Sequence, residues 1–212
     1  MRAKDHVVLV VDDDFRMREA LHELLTSAGL NVVTFGSATE YIAFAKPDLP
    51  ACLLLDVALP DMNGLDLQRQ LAAEQHPQIV FITGHGDVPS SVRALKAGAV
   101  DFLTKPFSES DLLSAIHAAI AQDRDARLQR GKLATLQQRF AALTPREREV
   151  LPLVASGLLN KQAAAALGIS EVTLQIHRGK IMHKMEAGSL AELVRMAGTL
   201  GIPVTDSRPA HE

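Results

Sequence analysis

Five short, nearly uninterrupted apolar runs lie in the first half of the chain, at Val7–Val11, Asn31–Phe35, Cys52–Leu55, Ile79–Ile82 and Phe102–Thr104. They limit the possible folds more than any other feature. A strand apolar on both sides must be covered on both sides, which is the condition of parallel strands inside an α/β sheet. Between the runs lie stretches with helix start and stop signals. Arg16–Ala28 ends at Gly29, a C-terminal cap candidate. Ser37-Ala38-Thr39-Glu40 has the spacing of a capping box and opens a second helix. Leu65–Ala73 follows Gly64, Val88–Ala97 follows Asp87 and stops at Gly98, and Asp111–Gln122 follows Ser108 or Ser110. Five strand–helix units predict a doubly wound, five-stranded parallel sheet, and right-handed crossovers leave few alternative topologies.

In an open sheet of this kind, ligands sit outside the carboxyl ends of the strands. Four of the five runs lead there into polar residues: Asp12 and Asp13, Asp56, Thr83, and Lys105. Asp56 is placed to accept a phosphoryl group, because a carboxylate can attack phosphorus in a chemistry that is mostly positioning and charge neutralisation. Asp12 and Asp13, with Asp56, offer oxygen ligands for Mg²⁺, and the backbone carbonyl of Ala58 can add one more. Lys105 supplies a cation for the phosphoryl oxygens, and Pro106 after it calls for a cis bond to turn the lysine inward. Thr83 can donate its hydroxyl to the new group. Taken singly, an aspartate at a strand end is an ordinary helix cap, Lys105-Pro106 a turn and Thr83-Gly84 a loop. Their occurrence together, at successive strand ends, points to one pocket.

The length of 212 residues suits two small domains better than one. No apolar stretch approaches the roughly 20 residues of a membrane span, and the first residues lack the apolar core of a signal peptide. The single cysteine, Cys52, lies inside an apolar run and reads as a small buried hydrophobe, so a reducing cytoplasm without disulfides is expected. Charge is unevenly placed. Residues 1–125 hold 10 Lys/Arg against 18 Asp/Glu, a net of −8, whereas residues 126–212 hold 12 against 7, a net of +5. A basic second half suggests nucleic acid as its partner.

Residues 121–143 change character, with Leu128, Leu133, Leu136, Phe140 and Leu143 at helix-like intervals. This predicts a helical linker, as a solvated spacer or, over about two heptads, a short dimerising coiled coil. From Thr144 onward everything reads helical. Thr144-Pro145-Arg146-Glu147 is a capping box with proline at the first helical position, and that helix stops near Gly157. Asn160 is expected to cap a short helix to Leu167 stopped by Gly168, Ser170 the next through Met185, and Ser189 a last one carrying Leu190, Leu193, Val194 and Ala197. That last helix fits core burial or pairing between copies equally well. The tail from Thr205 to Glu212 is polar and expected to fray.

Asn160 to Met185 thus reads helix, tight turn, helix, with Ala164 at the crossing and Gly168 at the turn. This pattern is a helix-turn-helix, whose second helix enters the major groove. On a helical wheel Leu174, His177, Ile181 and Met185 share the core side, where His177 reads as a packed histidine. Val172, Ile176, Gly179 and His183 fall opposite, with Thr173, Gln175 and Lys180 on the flanks. An exposed face carrying Val, Ile and Gly suits DNA, where apolar side chains meet thymine methyls. Gln175 can reach an adenine edge; Lys161, Arg178, Lys180 and Lys184 are expected at phosphates.

Val11-Asp12-Asp13-Asp14, Leu55-Asp56 with Pro60 and Asp61-Met62-Asn63-Gly64, Thr83-Gly84-His85-Gly86-Asp87-Val88-Pro89, Gly98-Ala99-Val100-Asp101-Phe102 and Lys105-Pro106-Phe107 together resemble the receiver domain of two-component response regulators. The stretch from Ile82 to Phe107 is similar to the FixJ branch. The Thr144–Glu147 cap, Asn160-Lys161-Gln162 and Val172-Thr173-Leu174-Gln175-Ile176-His177-Arg178 resemble the LuxR-type domain of the NarL/FixJ regulators, over about Leu143 to Met196. The resemblance implies a flavodoxin-like receiver at 1–122, a helical linker at 123–142, a LuxR-type helix-turn-helix domain at 143–204 and a flexible tail at 205–212. It implies phosphotransfer from a sensor histidine kinase to Asp56, with Mg²⁺, and a switch in which Thr83 moves toward the phosphoryl and Phe102 turns inward. Phe102 as plain core packing stays open. The surface expected to change is the Val88–Ala97 helix, the Phe102 strand and the Asp111–Gln122 helix. Ala58 and His85 stand where phosphoryl lifetime is tuned, and Ala58 replaces a larger side chain common there. Two further departures are Gln175, where many relatives carry lysine, and Ala163, where a large aliphatic is usual. The expected output is a homodimer formed on phosphorylation that binds promoter DNA and, with RNA polymerase, regulates transcription, with activation favoured over repression by the resemblance alone. The receiver would catalyse only its own phosphotransfer and dephosphorylation. An aspartyl-phosphate phosphatase, and a protein-interaction output in which the basic half grips protein or RNA, are the rival readings.

Overall fold

The computed structural model describes residues 5–72, 75–84 and 88–203, the last span without the side chain of Val88. His85 and the tail from Thr205, singled out above, lie outside the described residues. Elements follow in the order β1 (Val7–Val11), α1 (Phe15–Ser27), β2 (Val32–Phe35), α2 (Ala38–Ala43), β3 (Ala51–Asp56), α3 (Gly64–Leu71), β4 (Gln78–Thr83), α4 (Val88–Lys96) and β5 (Asp101–Thr104). Then come α5 (Glu109–Ala141), α6 (Pro145–Ala155), α7 (Asn160–Leu167), α8 (Glu171–Met185) and α9 (Leu190–Thr199). The chain divides into two compact units, with the boundary between Arg127 and Leu128.

The first unit is built on one parallel sheet of order β2-β1-β3-β4-β5. Successive residues along each strand feed opposite faces, which is why the strands are apolar throughout. Val7, Leu9, Val11, Leu53, Leu55 and Phe81 join one core with Tyr41, Leu67 and Ala94 of α2, α3 and α4. Val8, Val10, Cys52, Leu54, Val80 and Ile82 join the other with Leu21 and Leu25 of α1 and Leu112, Ile116 and Ile120 of α5. Burial, aided by Asp123, pushes the Cys52 thiol far above its ordinary pKa, as befits a small buried hydrophobe. The strand order reverses between β1 and β3, and the carboxyl ends of those two strands open the crevice where such sheets bind ligands.

Helix α5 is longer than the sequence suggested, because its residues pack at both ends. Asp123 is buried; its carboxylate accepts the Ala51 N–H at 2.9 Å and Arg127 Nε at 2.7 Å, and Arg127 reaches Asp48 at 2.6 Å. Residues 123–127 therefore belong to the first unit, not to a linker starting at 123. At the other end Leu136 is buried in the core of the second unit with Phe140 against it, so this stretch is not a wholly solvated spacer. Leu128 and Leu133, by contrast, are exposed.

The second unit surrounds a core of Leu143, Val150, Leu151, Val154, Ala163, Ala164, Leu174, Ile181, Met185 and Leu193. Thr144 forms the expected capping box: its hydroxyl accepts the Glu147 N–H, and the Glu147 carboxylate accepts the Thr144 N–H. Ser170 and Ser189 cap α8 and α9. Asn160 does not cap α7. It is the first helical residue, and the Gln162 side chain takes the N–H of the preceding Leu159 at 3.0 Å instead.

Candidate functional site

Asp12 and Asp56 are buried at the ends of β1 and β3, Thr83 is buried at the end of β4, and Asp13 is exposed beside them. Carboxylate oxygens of Asp12, Asp13 and Asp56 lie within 4.8 Å of one another, close enough to share one metal ion. Lys105, one residue past β5, bridges the two buried carboxylates: its Nζ lies 2.7 Å from Asp12 Oδ2 and 2.6 Å from Asp56 Oδ2. The Lys105-Pro106 peptide is cis, as the sequence called for, and the Lys105 N–H donates to Thr83 O at 2.7 Å, tying β5 to the end of β4.

Burial is the largest influence on Asp12 and raises its carboxyl pKa, against the pull of the Lys105 ammonium. Burial works to lower the Lys105 pKa, but its bonds to Asp12 and Asp56 outweigh that and hold it above the ordinary value. The ammonium is therefore charged at neutral pH and compensates part of the acidic cluster. What remains is a surplus of negative charge on oxygen donors, a match for a small divalent cation that takes oxygen ligands.

The loop after β3 is fixed from three directions. The Ala58 N–H donates to Asp56 Oδ1 at 2.9 Å, orienting the carboxylate. Asp61 accepts the Ala38 and Thr39 N–H groups at 3.2 and 2.8 Å and the Thr39 hydroxyl at 2.7 Å, docking the loop on α2. Asn63 caps α3 by accepting the Leu65 N–H at 2.9 Å. Gly64 packs so closely that a Cβ there would stand 2.3 Å from the Asp56 carbonyl oxygen. The Asp61-Met62-Asn63-Gly64 segment thus positions Asp56. Arg18, unremarked in the sequence, donates to the Asp12 carbonyl at 2.7 Å and steadies the end of β1 from α1. Phe102 is half-buried, 6.0 Å from the Phe81 ring.

In the second unit α7 and α8 form the helix-turn-helix, with Gly168 in the left-handed conformation at φ 64° where the chain turns. Leu174, Ile181 and Met185 are buried, and His177 is half-buried. Val172, Gln175, Ile176, Gly179, Lys180 and His183 are exposed, as is Lys161 on α7. Thr173 is half-buried with its hydroxyl 2.8 Å from that of Ser170. Two residues expected at phosphates, both half-buried, also make contacts inside the unit. Arg178 donates to Asn160 Oδ1 at 3.2 Å. Lys184 lies 2.7 Å from the buried Glu147 carboxylate and 3.2 Å from the Ala142 carbonyl. Glu147 is drawn to Lys184 because the burial of an unpaired carboxylate is costly.

Residues 8–117 match the family model of the response regulator receiver domain, and residues 141–197 that of the bacterial regulatory proteins of the luxR family. The chain is a response regulator of the NarL/FixJ family. The regulator is 53% identical over 197 residues to nodulation protein W of Bradyrhizobium diazoefficiens, covering 92% of the chain and 87% of that protein. It is 41% identical over 204 residues to the transcriptional regulatory protein FixJ of Azorhizobium caulinodans, covering 95% and 97%. Among solved structures, the response regulator StyR matches 92% of the chain and 99% of its own at 47% identity, with a TM-score of 0.81. The regulator joins a receiver domain, which implies a histidine kinase partner, to a LuxR-type domain, which implies DNA binding. Receiver domains hold Mg²⁺ at an acidic pocket, and Asp12, Asp13 and Asp56 form such a pocket here. Among the described residues no helix is long and apolar enough to cross a membrane.

Proposed function

We propose that the regulator works in the cytoplasm, accepts a phosphoryl group on Asp56 from a phosphohistidine of a sensor kinase, and then pairs with a second copy to bind promoter DNA and act on RNA polymerase. The observation that carries this reading is the Lys105 ammonium set between Asp56 and Asp12, 2.6 and 2.7 Å away, at the open end of a parallel sheet. A carboxylate oxygen of Asp56 attacks phosphorus, the P–N bond to the imidazole breaks, and an acyl phosphate results. Asp12, Asp13, Asp56 and the Ala58 carbonyl would hold Mg²⁺, which supplies charge neutralisation at the phosphoryl oxygens. Lys105 shifts from carboxylate to phosphoryl oxygen, and Thr83, at the end of the adjacent strand, donates its hydroxyl there. The added charge of about −1.5 to −2 biases helix α4 and Phe102 toward a second arrangement, a population shift in the sense that ligand binding produces one. The chain acts on no substrate besides its own acyl phosphate.

On the DNA side, Lys161, Lys180 and His183 meet phosphates, while Thr173, Gln175, Ile176 and Gly179 face the bases. Exposure of all of these but the half-buried Thr173 supports this division. The test is a small phosphodonor added to wild type and to Asp56→Asn. Wild type is expected to form an acyl phosphate and gain affinity for promoter fragments, and the variant to do neither. Equal stimulation of DNA binding in both proteins would reject the reading.

A further inference from the structure

We infer that α8 selects its DNA through the methyl groups of thymine, met by Val172 and Ile176 about two base steps apart, with Gln175 reading an adenine beside them. The inference rests on the DNA-binding reading above and names the sequence class that reading leaves open.

Val172 and Ile176 are 67% and 53% exposed, on a helix that buries Leu174, Ile181 and Met185 on its other side. They sit in the first two turns of α8, the part of a recognition helix that meets base edges. Four residues of helix rise about 6 Å, close to the ~6.8 Å of two base steps at 3.4 Å each. Branched apolar side chains at that spacing fit the thymine C5-methyl, the one apolar group the major groove presents.

Gly179 continues the same face one turn on. Its φ is not positive, and a Cβ there would meet nothing within 4 Å, so nothing inside the unit calls for glycine. An interior glycine weakens a helix, and this one gives no internal return. On the exposed face of α8 its missing side chain leaves room for the backbone to approach a duplex closely.

Two of the three Lys/Arg side chains of α8 are engaged by other parts of the unit. Arginine and lysine read guanine O6 and N7, but Arg178 is drawn toward α7 by Asn160, and Lys184 is held by Glu147 and Ala142. Lys180 lies beyond the first two turns. Gln175 remains exposed at the helix start, and glutamine pairs with adenine N6 and N7. The polar and apolar readers therefore agree on A·T pairs.

The experiment uses the full-length phosphorylated regulator and duplexes it enriches from random DNA. Each thymine of the enriched site is replaced in turn by uracil, which keeps every hydrogen bond and lacks only the methyl. Two positions per half-site are expected to weaken binding about fourfold each, the scale of one methyl buried. Ile176→Ala is expected to abolish the effect at one position and Val172→Ala at the other; both residues are exposed, so folding survives. Gly179→Ala is expected to raise the melting temperature while weakening binding, which a purely structural glycine would not do. Tight binding with no uracil-sensitive position, or uracil effects that persist in both alanine variants, overturns the inference alone. Failure of the phosphorylated protein to retain any duplex overturns the DNA-binding reading beneath it.

Discussion

Glu147 and Lys184 lie 37 residues apart in sequence, yet they form the ion pair that joins the start of α6 to the end of α8. Burial pushes the Glu147 carboxyl up, but the Lys184 ammonium and the Thr144 cap outweigh it and hold the group below its ordinary 4.5. A carboxyl depressed in the folded state binds its proton more readily once unfolded. Its stabilisation is therefore complete above about pH 4.5 and lost as pH falls through the lowered folded value. In Glu147→Gln the second unit should be less stable at neutral pH, and its urea midpoint should fall less steeply with acidification; curves parallel to wild type would contradict this. Lys184→Ala leaves the carboxylate buried and without its cation, at an expected cost of about 3 kcal/mol in unfolding experiments. That Asp12, Asp13, Asp56 and Lys105 share one pocket was legible because strand ends declare themselves in sequence. The commitments of Arg178 and Lys184 were not, since their partners come from other helices, and a lysine on a DNA-binding helix reads as a phosphate contact until its neighbour is known.

At the scale of elements, all five strands were readable to within two residues, because coverage on both faces leaves an unbroken apolar run. Helix α5 was not. The pattern of Leu128, Leu133, Leu136, Phe140 and Leu143 suggested one periodic face, yet only Leu136 and Leu143 are buried and Leu128 is 54% exposed. Asp123 explains where the first unit ends: a charged residue in a polar stretch reads as solvated, but here it receives the first N–H of β3 and the Arg127 side chain. β3 carries Asp56 at its opposite end, so this carboxylate fixes the strand on which the proposed phosphoacceptor stands. Asp123→Ala would strand a buried N–H and release Arg127, with an expected loss of about 3 kcal/mol. Hydrogen exchange should quicken at Ala51 and along residues 123–127; unchanged protection there would show that the contact does not hold the helix.

For the whole molecule, the exposed cations of α7 and α8 set how strongly salt opposes DNA binding. With Lys161 and Lys180 as the lysine contacts to phosphate in each copy, a dimer neutralises four phosphates, and the slope of log affinity against log salt should be about −4. Engagement of Arg178 and Lys184 as well would double the contacts and give about −7. A titration of promoter binding against potassium chloride separates the two. The central claim is that one carboxylate in the first unit governs what the second unit does to the genome. A genome-wide footprint of wild type against Asp56→Asn, taken while the kinase is active, tests it most directly. Discrete promoter occupancy in wild type that disappears in the variant is the predicted result; the same occupancy in both would contradict the account.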